Sequence, residues 1–157
     1  MQRGGRFNRP GSPALYASFK RITALREATH LLADDDPAIP FLMLTIEYDL
    51  GDVLDLTAST VTTVLGTTRA ELTSPLGSFR SGDHPTQSLG AAAAAVGCDG
   101  LVAWSRADPR GKNLVIFTGR TTPGSFVVYD DPPRRFESFE LVERGTIVPF
   151  RPRMPNE

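Results

Sequence analysis

The sequence is poor in the residues that build cross-links and metal sites. It has one cysteine, Cys98, which excludes a disulfide within the chain and a multi-cysteine zinc site. It has two histidines, His30 and His84, too few for most metal centres. The longest apolar runs, 41–44 and 91–96, are far shorter than the roughly 20 residues that cross a bilayer. Residues 1–13 lack the apolar stretch of a signal peptide. We therefore expect a cytoplasmic chain that uses no metal and no membrane.

Charge of one sign is also lacking. Lys and Arg number 17 and Asp and Glu 18, for a formal net charge of −1. Direct binding of nucleic acid or of anionic lipid needs a basic surface, which this balance does not predict. The length of 157 residues suits one domain, 1–157. Glycine and proline predict an irregular arm at 1–13, which we expect to be mobile in the free protein, and a tail at 149–157.

The remaining segments predict a mixture of strands and helices. Ser18 is the expected N-cap of a helix over 19–33. Pro85 at a first helical position and Gly97 after the last one delimit a second helix over 86–96. The apolar segment 41–47 predicts a central strand. Further strands are predicted at 14–17, 54–56, 101–104, 114–118, 126–129 and 139–142, and short helical turns at 59–65 and 68–72. This pattern indicates one α+β domain with mixed or antiparallel sheets and a few helices.

Four residues are candidates for chemistry, and each has a plainer interpretation. Arg6 lies among glycines, where its planar fork suits a phosphate, although a solvated arginine fits equally. Tyr16 is a site aromatic or a core residue with its hydroxyl at the edge. Glu27 borders the apolar arc of the first helix, near His30, as a site acid or a solvated flank residue. Ser105 ends a strand, as a site residue or as part of a turn.

These residues lie in segments that resemble a known family. The segments are GGRFNRPGSPALYAS at 4–18, ALRE at 24–27 and GCDGLVAWSRADPRGKNLVIF at 97–117. They are similar, in the same order, to the blocks of the RES-domain family, which is named for its signature Arg, Glu and Ser. Segments 54–57 and 86–90 resemble intermediate blocks. The chain departs from the family where Phe7 replaces a common tryptophan and Trp104 a common proline. Many relatives also have an upstream strand that supplies another arginine, so we expect this chain to be a short member or to lack that segment.

The resemblance implies a fold like that of the ADP-ribosyltransferase toxins and a role as the toxin of a bacterial toxin–antitoxin pair. Such toxins consume NAD as substrate, and a small helical Xre-like antitoxin blocks the NAD pocket. The resemblance implies that Arg6 binds a phosphate or ribose of NAD and that Tyr16 stacks on one of its rings. Glu27 would stabilise the cationic ribose, Ser105 would position Glu27 or the ribose, and His30 would support them.

The acceptor of the ADP-ribose stays open. Water, inorganic phosphate and a protein side chain could all follow the same first half of the reaction. Transfer to water or phosphate and transfer to a protein are thus two functional hypotheses. A third, of a different class, is a non-catalytic RES-like domain that only binds its antitoxin. Asn113, in the last of the three segments, is expected to tie a loop to its strand.

Overall fold

A computed structural model describes residues 4–30, 43–75, 84–122 and 124–130, the last four of these by their backbone alone. The elements in chain order are β1 (Leu15–Ser18), α1 (Arg21–Thr29), β2 (Leu44–Tyr48), β3 (Val53–Asp55), α2 (Ser59–Val64), α3 (Arg69–Thr73), α4 (Pro85–Ala95), β4 (Gly100–Trp104), β5 (Lys112–Ile116) and β6 (Phe126–Asp130). The strand predicted at 139–142 and the tail at 149–157 lie outside the described residues. No helix in the described ranges is long and apolar enough to cross a membrane.

Strands and helices alternate irregularly along the chain, and the strands form a mixed sheet. Its order is β1-β5-β4-β3. β5 pairs antiparallel with both β1 and β4, whereas β3 pairs parallel with β4. A separate two-stranded antiparallel ladder joins β2 to β6. The α+β class predicted from the sequence is confirmed.

The position predicted for the apolar segment 41–47 is wrong. Its described part belongs to β2, which pairs with β6 and not with the four-stranded sheet. Leu44 and Tyr48 are exposed, whereas Leu101 of β4 and Ile116 of β5 are fully buried. The inner strands are thus β4 and β5, which are consecutive along the chain and pair as a hairpin. Apolar content indicates that a strand is buried but does not identify the strand it pairs with.

The start of the first helix also differs from the prediction. Helix α1 begins at Arg21 with Lys20 as its N-cap residue. Ser18 belongs to β1, opposite Asn113 of β5, and its hydroxyl donates to the Asn113 Oδ1 at 2.7 Å. The Ser18 hydroxyl therefore forms a hydrogen bond within the sheet and does not cap the helix. The predicted end at 33 lies outside the described residues.

The other helices follow their local signals. Pro85 is the first residue of α4. After the helix, Gly97 has φ 107°, its N–H donates to the Ala94 carbonyl at 3.2 Å, and that of Cys98 donates to the Ala93 carbonyl at 3.0 Å. These two bonds make a Schellman motif, which needs a residue with positive φ. The predicted helical turns at 59–65 and 68–72 are α2 and α3.

The main hydrophobic cluster joins the sheet, the helices and the N-terminal arm. Its buried members are Phe7, Leu56, Leu72, Ala93, Leu101, Ala103, Val115 and Phe117. Residues 4–13 contain no helix or strand, as predicted. Part of this arm packs on the fold: Phe7 is 3% exposed, and the Arg6 carbonyl accepts the Thr86 hydroxyl of α4 at 2.7 Å. The arm therefore contributes a residue to the core, while its mobility in the free protein stays a prediction.

We predict that Gly90→Ala destabilises the protein although alanine is the better helix former. A Cβ on Gly90 of α4 would fall on the carbonyl oxygen of Phe7, which is backbone and cannot change rotamer. We expect the free energy of unfolding to fall by about 2–3 kcal/mol, as in overpacked cores. Urea denaturation would measure this.

The matched control is Ala91→Gly, at an exposed position of the same helix, which reports helix propensity alone and should cost about 1 kcal/mol. A gain of stability in Gly90→Ala would contradict the packing of the arm on α4.

Candidate functional site

The carboxylate of Glu27 is the centre of the candidate site. Glu27 lies in α1, and its Oε1 accepts two hydrogen bonds. The Ser105 hydroxyl donates at 2.6 Å, and the Asn113 Nδ2 donates at 2.7 Å. Among the described residues no donor contacts Oε2, and the side chain is half-buried. One oxygen is therefore held in a fixed position, while the other stays available to a ligand.

Asn113 is a member of the site that was not identified from the sequence. It was expected to tie a loop to its strand, but its amide joins β1 to the carboxylate of Glu27. The Ser18 hydroxyl donates to Oδ1, so the amide nitrogen faces Glu27. This orientation is the one that the chemistry requires, because an ionised carboxylate can only accept. The sequence signal that could have identified Asn113 as a site residue is its place in the last of the three family-like segments.

Ser105 connects the turn after β4 to Glu27 through its hydroxyl. It is 2% exposed and lies just after β4. Its Oγ accepts the Asp108 backbone N–H at 2.9 Å and donates to Glu27. A hydroxyl that is buried and engaged in both directions suits the orientation of a neighbour better than nucleophilic attack. The geometry therefore supports the positioning role expected for Ser105.

Tyr16 joins the arm to the site. Its hydroxyl accepts the Phe7 N–H at 2.8 Å and donates to the Asn8 Oδ1 at 2.7 Å. Burial of the hydroxyl raises the pKa of Tyr16, against the lowering effect of the Phe7 bond and of the Arg6 charge. The residue is nevertheless 40% exposed. A fixed hydroxyl and an accessible ring make Tyr16 able to stack on a flat ligand.

Arg6 is partly committed to the fold. Its Nη1 donates to the carbonyls of Leu72 at 3.1 Å and Ser74 at 2.6 Å. An arginine has five N–H groups, and among the described residues the other three donate to no acceptor. Arg6 is thus an anchor of the arm as well as a candidate for the phosphate.

A second arginine, Arg106, was missed at this site. Burial and the charge of Arg106 lower the pKa of Arg6, while Glu27 and Tyr16 raise it. The second guanidinium, the carboxylate and the phenol therefore each lie within electrostatic range of Arg6. Arg106 is exposed and directly follows Ser105, which is the sequence signal that could have found it.

His30 is not brought into this cluster. It is the exposed C-cap residue of α1, and none of the hydrogen bonds among the described residues joins its side chain to Glu27. In the described ranges, no group of three or more His, Cys, Asp or Glu could hold a metal ion.

Comparisons with known proteins concern the family and the fold of the chain. The family model of the RES domain matches residues 1–137. A chain in the crystal structure of the M. tuberculosis MbcT-MbcA toxin-antitoxin complex is 26% identical, with a TM-score of 0.59. The similarity covers 82% of this chain and 70% of that chain. No curated protein matches significantly.

We predict that Asn113→Asp makes stability depend on pH. Two carboxylates would then share one site, and such a pair raises the pKa of one of them. An acid whose pKa is raised in the folded state loses its stabilising effect as pH increases. We expect the variant to be less stable than wild type by roughly 1–3 kcal/mol at pH 7.5 and to recover most of this at pH 5.

Urea denaturation at both pH values would measure the effect, with Asn113→Leu as control, since it removes the amide without adding a charge. An equal deficit at both pH values in Asn113→Asp would contradict the contact with Glu27.

Proposed function

The chain belongs to the RES-domain family, and we propose that it is the toxin of a toxin–antitoxin pair that cleaves the nicotinamide–ribose bond of NAD. The observation that carries the proposal is the carboxylate of Glu27, held through Oε1 by two hydrogen bonds, with no donor on Oε2 among the described residues. Glu27 and Tyr16 each lie within electrostatic range of Arg6. The anchored carboxylate, the guanidinium groups and the tyrosine ring match the cationic nicotinamide–ribose, the anionic pyrophosphate and the flat rings of NAD, respectively.

Cleavage of this bond needs an anion beside the sugar. The bond between the ring nitrogen and C1′ breaks, its electron pair leaves with neutral nicotinamide, and positive charge develops on the ribose as in glycoside cleavage. A preorganised carboxylate stabilises that charge without having to reorganise. Glu27 supplies this carboxylate, and Ser105 and Asn113 hold it in place. The exposed ring of Tyr16 stacks on one of the flat rings of NAD.

The pyrophosphate is assigned to the two arginines. Arg6 retains three N–H groups beyond those bound to backbone carbonyls, and Arg106 is exposed and within electrostatic range of Arg6. A planar guanidinium matches phosphate oxygens in a bidentate way. Two neighbouring cations repel each other, and a bound anion relieves that repulsion.

The acceptor and the partner complete the proposal. After nicotinamide leaves, a nucleophilic atom of water, phosphate or a protein side chain bonds to C1′, and it releases a proton to solvent if it carries one. The similarity to a chain from a toxin–antitoxin complex supports an antitoxin partner, which we place over the same pocket as a small helical Xre-like protein. A cytoplasmic location fits both the substrate and such a partner.

We predict that Glu27→Gln abolishes NAD cleavage. The replacement keeps the size of the side chain and removes the negative charge. We expect the rate to fall by at least about 100-fold, as when a transition-state donor is lost. Purified protein would be incubated with NAD labelled in the adenosine part, with and without phosphate and with cell lysate, and the products separated. Expression of the wild type should slow bacterial growth, and Glu27→Gln should relieve it.

The control is Glu47→Gln, an exposed carboxylate on β2, which should cleave NAD like the wild type. A well-folded wild type that leaves NAD intact in all three reactions would reject the enzyme and favour a domain that only binds its antitoxin.

We predict that Arg106→Ala weakens NAD binding more than it slows turnover. An exposed cation beside a phosphate contributes about 1 kcal/mol, which corresponds to roughly a fivefold rise in KM. The matched control is Arg110→Ala, which removes an exposed arginine of the same turn and should leave KM unchanged. Steady-state kinetics would separate the two effects, and an equal KM in both variants would remove Arg106 from the phosphate site.

A further inference from the structure

We infer that Asp108 is a positioning residue, which sets the orientation of Glu27 by locking α1 onto the turn between β4 and β5. The residue lies outside the family signature and has no direct contact with Glu27 among the described hydrogen bonds. Its catalytic consequence rests on the proposed NAD cleavage. The geometric part of the inference does not, because it concerns how two segments of the chain are joined.

The carboxylate of Asp108 holds α1 at two points. The Thr23 hydroxyl donates to Oδ2 at 2.7 Å, and the Arg26 Nη1 donates to Oδ1 at 2.9 Å. Thr23 is 0% exposed and Asp108 is 4% exposed, so water does not compete at the shorter contact. The Thr23 hydrogen bond, ahead of the Arg110 backbone bond and the Arg26 charge, lowers the pKa of Asp108 despite the cost of desolvation.

Because Glu27 lies on the same helix, these two contacts also fix its position. Thr23 precedes Glu27 by four residues and therefore lies one turn away on the same face of α1. Arg26 is the residue next to Glu27. A helix fixed at these two points cannot rotate about its axis, and Glu27 is directed toward β5 as a result.

The other side of the contact is equally rigid. The Asp108 N–H donates to the Ser105 Oγ. The turn closes on itself, because the Gly111 N–H donates to the Asp108 carbonyl at 2.8 Å and the Ser105 N–H donates to the Gly111 carbonyl at 3.0 Å. A Cβ on Gly111 would come within 2.5 Å of Thr23, so the backbone of the turn packs directly on α1.

One short turn thus holds both the hydroxyl that contacts Glu27 and the carboxylate that fixes the helix of Glu27. If Asp108 is lost, Ser105 and α1 can shift relative to each other. A displacement of about 1 Å at a catalytic group can cost about 100-fold in rate. Substrate binding through Arg6 and Tyr16, which lie on the arm and on β1, should change much less.

The experiment compares two pairs of variants. Asp108→Asn removes the charge and one of the two acceptor oxygens, so that Thr23 and Arg26 cannot both be held, and Thr23→Val removes the hydroxyl, whereas Thr23→Ser keeps it. Asp55→Asn is the matched control, because Asp55 also accepts a threonine hydroxyl and a backbone N–H, at Thr57, but on β3. We would measure kcat and KM for NAD, together with the side-chain amide resonances of Asn113, which report its hydrogen bond to Glu27 without any need for activity.

We expect Asp108→Asn and Thr23→Val to lower kcat roughly 10- to 100-fold, with KM within about twofold and the Asn113 amide resonances displaced. Thr23→Ser and Asp55→Asn should resemble wild type in all three measurements. If Asp108→Asn does not fold, the two Thr23 variants decide.

Wild-type kcat in a folded Asp108→Asn or Thr23→Val would overturn the inference, and so would unmoved Asn113 resonances. A wild type that does not cleave NAD would reject the proposed function, and the Asn113 resonances would then decide the geometric part alone.

Discussion

The charge of Glu27 is the constraint around which the described structure is arranged. A carboxylate beside a hydrophobic core costs free energy unless donors satisfy it. Here the donors, Ser105 and Asn113, come from 78 and 86 residues further along the chain. They reach the same oxygen only because β4 and β5 form an antiparallel hairpin and β1 pairs with β5. The order of strands in the sheet is therefore also the support of the site.

The N-terminal arm is a second support. Phe7 contributes to the hydrophobic core, and the tight approach of its backbone to Gly90 fixes the arm on α4. The same residue donates its N–H to Tyr16, so the arm and β1 are joined next to the site. Arg6 is carried on this segment and gains its position from the burial of its neighbour, because a half-buried charge could not by itself order a glycine-rich chain against the loss of conformational entropy.

The candidate site contains charged side chains of both signs. Arg6 and Arg106 carry positive charge and Glu27 carries negative charge, and both Arg106 and Glu27 lie within electrostatic range of Arg6. NAD has a corresponding pair of features, an anionic pyrophosphate and a cationic nicotinamide–ribose, which is why this arrangement supports the proposed substrate. Arg6 serves both the fold and the proposed ligand, since part of its guanidinium binds backbone carbonyls.

Local signals were enough to determine the α+β class and helix α4, because Pro85 and Gly97 act on the backbone of their own residues. The sequence by itself also determined which segments carry Arg6, Tyr16, Glu27 and Ser105, through the resemblance of those segments to a family, while the roles of these residues stay predictions. Tertiary structure decided what depends on distant partners. It placed β2 outside the main sheet, turned Asn113 toward Glu27 and moved the start of α1 away from Ser18. The reason is the same in each case. A hydroxyl or an amide can form hydrogen bonds with several different partners, and an apolar strand can pair with several different strands. Which one it meets depends on residues such as Asn113, which is 95 positions from Ser18 along the chain and next to it only in the folded sheet.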